Sequence, residues 1–289
     1  MAEIIGHDNV ISNDVNITPT VYRISTITCN GTVGCGINLD LLYRHTRIAV
    51  NGEPSGFVWA EFGTFNNRGT YPKKRKTSMT NRKSFDNQVT VIYKVHNGYA
   101  PNIKVFRNGN IQMTGIRTPD DGIMMINMIA KEVEYIAKEL DPTIAKVEDI
   151  SPGDFKIRMI NSDFSFDFKI RRKDLHMLLI SNTYNTISSF QPGTYPGVKI
   201  QYFWNERSIN KSGHCECLRP CHGRGENAVV GTEPYDGQCK KVTISVFESG
   251  KILITGATSY AQIDEAYAYI VKVIQDNIIR IKKNAIQSA

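Results

Sequence analysis

Four cysteines, Cys215, Cys217, Cys221 and Cys239, crowd into one polar stretch with His214 and His222 beside them. Thiolates and imidazoles at close spacing are the donors of structural zinc, and a zinc ion would order a loop that has few apolar residues of its own. The spacing C-x-C-x3-C-x17-C departs from the usual paired knuckles. Free thiols therefore stand as one alternative and, in an oxidising setting, disulfides as another. Cys29 and Cys35 lie far away in a glycine-rich turn and are read as unrelated.

A second group would act through charge. Arg68, Lys73, Lys74, Arg75, Lys76, Arg82 and Lys83 fall within sixteen residues that hold no acid, immediately before Phe85. Such a run gives non-specific, salt-sensitive contacts to phosphates; a solvated surface and a localisation signal are the competing readings. The formal charge of +7 and pI near 9.0 favour an acidic partner, nucleic acid first. Catalysis finds less support. There is no phosphate-binding or dinucleotide glycine motif and no H-E-x-x-H. The carboxylate pair Asp120–Asp121 opens a helical pattern, where acids favour the dipole, and Asp163 with Asp167 fits an exposed strand face. A non-enzymatic protein is expected.

These groups must be positioned by something, and the clearest organisation is a segment that occurs twice. Val242 to Phe247 is β-branched and aromatic, Glu248 to Gly250 a tight turn, Ile252 to Thr255 a second strand, and Gly256 a close-approach or positive-φ position. Ile263, Ala266, Tyr267, Ile270 and Ile274 then recur at helical spacing. Upstream by 141 residues, Val105, Phe106, Asn108, Gly109, Ile111, Thr114 and Gly115 match Val246, Phe247, Ser249, Gly250, Ile252, Thr255 and Gly256. Ile123, Met124, Ile126, Ile129, Val133 and Ile136 follow as another helix. The repeat predicts a molecule of two similar halves.

Around this repeat the chain reads as follows. Tyr22–Thr28 is a strand, a glycine-rich turn follows, and a short helix opens near Asn38. Residues 46–84 lose pattern and read as a basic insertion. Phe85–Val95 is a long strand, and residues 142–153 connect the halves. Phe155–Asn161 and Phe164–Ile170 are two strands, Arg172–Leu179 a short helix, and the stretch from Thr194 to Trp204 a strand. A cysteine-rich insertion over about 205–238 precedes the final hairpin and helix. Arg171, Arg172 and Lys173 read as a solvated face. With 41% hydrophobic residues the chain can bury one or two cores. It has no apolar run of transmembrane length and no secretory pattern at MAEIIGHDNV, so a soluble, intracellular protein is expected.

The segment YPGVKIQYFWN, followed after the insertion by VTISVFESGKILITGA and IDEAYAYI, resembles the second repeat of the TATA-box-binding protein family. VFRNGNIQMTG occupies the corresponding place in the first repeat. The insertions make the chain most like the divergent members carried by large nucleocytoplasmic DNA viruses. The resemblance is specific in the second hairpin and helix, present in the first hairpin and weak over residues 1–84. It implies an α+β saddle: two pseudo-symmetric repeats, 19–141 and 154–284, sharing one curved antiparallel sheet of ten strands with helices on the convex face. The concave face would lie in the DNA minor groove.

Carried over, the family's kinking aromatics fall on Phe85 and Phe106 in the first half and on Tyr195 and Phe247 in the second. Half-buried cross-strand packing is the bland reading of the same rings. Thr114 and Thr255 match threonines whose hydroxyls meet the acceptors of A·T pairs. The family's central asparagines, however, correspond here to Tyr22 or Arg23 and to Met159, and methionine cannot donate a hydrogen bond. The resemblance implies a transcription initiation factor that binds and bends duplex DNA and recruits transcription factors or RNA polymerase subunits. It would act at the site of viral transcription in the host cell. The alternative is an interaction or virion component that keeps the saddle without sequence-specific DNA binding.

Overall fold

The computed structural model describes residues 17–50, 53–63, 66–72, 86–96, 98–217, 221–225 and 238–283. In chain order the elements are β1 (Arg23–Thr32), α1 (Leu39–His45), β2 (Gly56–Phe62), β3 (Asn66–Gly69), β4 (Gln88–Lys94), β5 (Asn102–Phe106), β6 (Asn110–Ile116) and α2 (Pro119–Glu139). After a short 3-10 turn come β7 (Gly153–Ser165), α3 (Arg172–Leu179), β8 (Ser188–Gln191), β9 (Tyr195–Trp204), β10 (Lys240–Val246), β11 (Lys251–Ala257), α4 (Tyr260–Asp276) and α5 (Ile278–Ile281). All described strands belong to one eleven-stranded sheet, ordered β3-β2-β4-β5-β6-β1-β7-β11-β10-β9-β8. Every named pairing is antiparallel, which makes the fold α+β.

The two hairpins keep one register. Asn102 faces Thr114 and Val105 faces Ile111 in β5–β6; Thr243 faces Thr255 and Val246 faces Ile252 in β10–β11, at the same 141-residue offset. Both turns close through glycine. Gly109 and Gly250 have φ of 81° and 84°, and a Cβ would lie 2.0 Å from the Cys35 carbonyl oxygen or 2.4 Å from that of Phe166. Only glycine can make these approaches without moving the backbone.

One face of the sheet is covered by helices. In α2 the buried stripe is Met125, Ile126, Ile129, Val133 and Ile136; in α4 it is Ile263, Ala266, Ile270, Val273 and Ile274. They pack on alternate strand residues such as Ile27, Ile103, Val105, Ile111, Val242, Ile244, Ile252 and Ile254, all fully buried. Thr118 caps α2 by accepting the Asp121 amide, with Pro119 in the first turn. Asn38 caps α1 in the same way. No helix among the described residues is long and apolar enough to cross a membrane.

Several sequence expectations change. Residues 46–84 are not wholly irregular, because β2 and β3 lie within them and extend the sheet beyond β4. Positive-φ glycines at Gly56 and Gly69 and a register shift between Phe57 and Trp59 interrupt the alternation that would have revealed the strands. The sheet thus has eleven strands where the resemblance implied ten. The two strands expected over Phe155–Asn161 and Phe164–Ile170 are one strand, β7 (Gly153–Ser165), with the polar Ser162 and Asp163 buried within it, and β1 runs on through Gly31 to Thr32. Gly31 is tolerated there because Ile126 of α2 presses against it; a Cβ would be 2.1 Å from that side chain.

Candidate functional site

Alternation fixes which side chains occupy the sheet face away from the helices. In β5 and β6, Ile103, Val105, Ile111 and Met113 are in the core, so Asn102, Lys104, Phe106, Gln112 and Thr114 point the other way. In β10 and β11 the same parity turns Lys241, Thr243, Ser245, Lys251, Leu253 and Thr255 to that face, where Ser245 is buried. Thr114 and Thr255 occupy matching positions, and the Thr255 hydroxyl reaches the Thr243 carbonyl at 3.5 Å.

Aromatic rings stand where each hairpin ends. Tyr195 and Phe247 lie side by side, centroids 5.8 Å apart and tilted by 58°. Gly197 makes the room: a Cβ there would be 2.9 Å from Tyr195 and 3.2 Å from Phe247. Lys199 Nζ sits 4.1 Å above the Tyr195 ring. In the first half, Phe106 borders an open cleft of about 540 Å3 with Asn30, Arg107, Gln112, Lys156 and Arg158. Its expected companion, Phe85, lies outside the described residues, as do Lys73, Lys74, Arg75, Lys76, Arg82 and Lys83. Arg68, the first member of the basic run, is directed inward. Its Nη1 donates to the carbonyls of Tyr43, Arg44 and Thr46 at 2.7, 2.6 and 3.1 Å, at the C-terminal end of α1. Arg172 is likewise no free surface charge: it pairs with Glu248 at 2.8 Å, donates to the Pro196 carbonyl and lies over Phe190.

Across the centre, β1 and β7 contribute the positions where asparagines were expected. Tyr22 turns to the helices, donating to Asp264 at 2.5 Å and meeting Tyr267 edge-on, which leaves Arg23 at the open face. Burial, then the Asp264 hydrogen bond, pushes the Tyr22 phenol up to about 12. Arg23 Nε contacts both oxygens of Asp163 at 3.2 Å, and Lys251 approaches the same carboxylate at 3.3 Å. Asp163 is therefore held between two cations. Met159 and Asn161 flank the fully buried Ile160 and so face outward; Thr28 pairs with the first and Thr26 with the second. The Asn161 side-chain oxygen is buried and without a partner among the described residues. Asn161 is an amide two residues from the expected place. A strict motif alignment at Met159 passes over it, whereas strand parity finds it. Lys104, Gln112, Arg158 and Lys199 were missed too, although Lys104 and Gln112 alternate with named residues of the hairpin.

The cysteine cluster assembles next to the start of β10. The thiol sulfurs of Cys215, Cys217, Cys221 and Cys239 all lie within 4.8 Å of one another, a group able to hold a metal ion. His214 and His222 are not in that group. Burial is the main cause that lifts the Cys215 thiol to about 11 and pushes the Cys239 thiol up. Cys29 and Cys35 belong to the core beneath α2.

Comparison with known proteins adds three findings. Residues 233–277 match the family model described as transcription factor TFIID (or TATA-binding protein, TBP). A "TATA-box-binding protein-like" protein of Acanthamoeba polyphaga mimivirus is 31% identical over 287 residues, covering 93% of this chain and 68% of that protein. Among solved structures, Methanococcus jannaschii TBP aligns over 88% of this chain and 98% of its own, with a TM-score of 0.47 and 15% identity.

Proposed function

The chain belongs to the TATA-box-binding protein family, and from that premise we propose that its open sheet face receives the minor groove of duplex DNA and bends it, as a non-enzymatic transcription initiation factor. The two halves, 19–141 and 154–284, then act as the two ends of a saddle. Phe106, with Phe85, opens one base step; Tyr195 and Phe247 open another. Unstacking costs a few kcal/mol per step and is recovered from the surface that bent DNA brings into contact. Thr114 and Thr255 offer hydroxyls to minor-groove acceptors, while Lys73, Lys74, Arg75, Lys76, Arg82 and Lys83 meet phosphates beside the first wedge. The helix-covered face is left for transcription factors or RNA polymerase subunits.

The observation that carries this reading is the composition of the open face. It bears Lys, Arg, Thr, Asn and Gln between aromatic ends; of its carboxylates, Asp163 is held between Arg23 and Lys251 and Asp154 lies 3.9 Å from Lys156. Such a face suits a polyanion; unpaired acids would have repelled one. With Arg23 and Met159 at the central positions, base discrimination falls to Asn161, the threonines and the deformability of the site, so a modest A·T preference is expected.

Alanine at Phe106 and Phe247 together tests the mechanism. Energy transfer between dyes on the duplex ends should report loss of most bending, while loose, salt-sensitive binding persists through the basic residues. Tight wild-type binding to a duplex that stays straight would refute the wedges. Absence of measurable affinity at low salt would favour the interaction-protein reading, which Met159 on the open face otherwise supports.

A further inference from the structure

We propose that Cys215, Cys217, Cys221 and Cys239 bind one Zn2+ tetrahedrally and that this ion clips the insertion between β9 and β10 onto the sheet. Its donors come from three directions. Cys239 directly precedes β10, Cys221 lies two residues before Gly223, and Cys215 and Cys217 follow Gly213. Each approach is set by the backbone. Gly213 has φ 75° and lies on the Tyr202 ring, where a Cβ would come within 2.4 Å; its carbonyl accepts the Phe203 amide at 2.8 Å. Gly223 has φ 67° and accepts the Lys241 amide at 2.8 Å, while the Gly225 amide donates to the Cys239 carbonyl at 3.0 Å. Residues 221–225 thus form a short antiparallel bridge to the start of β10, and the thiols meet beside it.

The geometry fits zinc. A tetrahedral ion with Zn–S of about 2.3 Å sets its sulfurs about 3.8 Å apart. Cys217 and Cys239 are 3.5 Å apart, and Cys239 and Cys215 are 3.9 Å apart. These separations are far beyond the about 2.05 Å of a disulfide. Four thiolates fill the coordination sphere and leave no position for water or substrate, so the ion is structural. Four thiols lose their protons to solvent as the ion enters, and the resulting site carries two negative charges. Lys240, Lys241 and Arg224 follow or bridge the ligands and offset that charge. The insertion is also tied to the helix-bearing side: Lys211 pairs with Glu265 of α4 at 2.7 Å, and Tyr202 donates to the Lys211 carbonyl at 3.2 Å. A long polar loop with so few apolar residues needs such a clip to hold one arrangement.

The test uses the full chain purified with reductant. After chelation and removal of the chelator, Co2+ titration should develop thiolate-to-cobalt charge transfer and the visible bands of a tetrahedral site, saturating at about one equivalent and bleached by Zn2+. Cys217→Ser and Cys221→Ser should each lose the four-thiolate spectrum. Hydrogen exchange at the amides of Phe203, Gly225 and Lys241 should accelerate at least about tenfold on metal removal, with Ile254 of β11 unchanged. A folded wild-type chain that gives no thiolate–cobalt spectrum would overturn the proposal. So would a disulfide among these four cysteines under reductant, or iron rather than zinc after growth with both metals. If the serine variants fail to fold, the wild-type cobalt spectrum and exchange data decide alone.

Discussion

The hairpin–helix unit β5–β6–α2 and its counterpart β10–β11–α4 share register, turn glycines, helix stripe and the Phe106/Phe247 and Thr114/Thr255 pairs, yet differ at other positions on each surface that meets something else. On the open face, Lys104, Gln112 and Asn102 of the first unit stand where the second has Ser245, Leu253 and Thr243. Against the sheet, Glu132 of α2 occupies the place of Val273 of α4, and both are only 2% exposed. Between the preceding strands, the first half has a tight turn with Gly98 where the second has the cysteine-rich insertion. The shared part is what the backbone requires; the differing part is chemistry directed at particular neighbours. Glu132 accepts from the Arg47 backbone amide at 2.7 Å and from its guanidinium at 2.6–3.3 Å, and Arg47 also covers Tyr135. A buried charge thereby fixes the segment after α1, where the other half packs a methyl pair.

The largest effect that separates the halves should come from that pair. Glu132→Ala should cost about 2–3 kcal/mol of unfolding free energy, because it removes several charge-assisted bonds while Arg47, more than half exposed, regains water. Val273→Ala should cost roughly 1–2 kcal/mol from lost apolar burial. Urea unfolding of E132A, R47A and the double variant measures the coupling; additive effects would mean that the pair does not hold the α1 segment.

Next comes the open face. Lys104→Ser with Arg158→Ser should lower the salt dependence of DNA affinity by up to about one log unit per lost phosphate contact, whereas Ser245→Ala should leave the slope unchanged. Equal slopes would place the electrostatic footprint elsewhere, with the basic run before Phe85 as the first candidate.

The smallest effect concerns Glu248 in the β10–β11 turn. Lys283, then Arg172, holds its carboxyl below the usual range. The folded state binds that proton less readily than the unfolded chain, so its contribution is complete above the ordinary glutamate pKa and fades as pH falls through the lowered value. The group is exposed, so Glu248→Gln should barely change stability at neutral pH and should slightly flatten the acid limb of a stability–pH curve.

The hairpins, the long helices and the short helix Arg172–Leu179 were legible because each rests on local rules: alternation, three- and four-residue spacing, and turn glycines. The repeat paired Phe106 with Phe247 and Thr114 with Thr255 for the same reason, whereas Tyr195 was named from the family resemblance alone. β2 and β3 were not legible, since positive-φ glycines and a register shift erase the period over a few residues. Met159 and Arg23 looked like simple losses of the family asparagines. Only the pairing of β1 with β7 set Asn161 on the open face beside Met159 and set Arg23 against Asp163.

By itself the sequence determined that an element occurs twice, that its residues alternate and coil as they do, and that four thiols share one loop. Local backbone preference and side-chain period are encoded within a few residues, so they survive without knowledge of neighbours. The tertiary structure decided which cations are spent on internal carbonyls or carboxylates, as Arg68, Arg172 and Arg23 are, and that cysteines up to 24 residues apart bring their sulfurs within 4.8 Å. Those outcomes depend on chain segments distant in sequence arriving at one point, and no local rule carries that information.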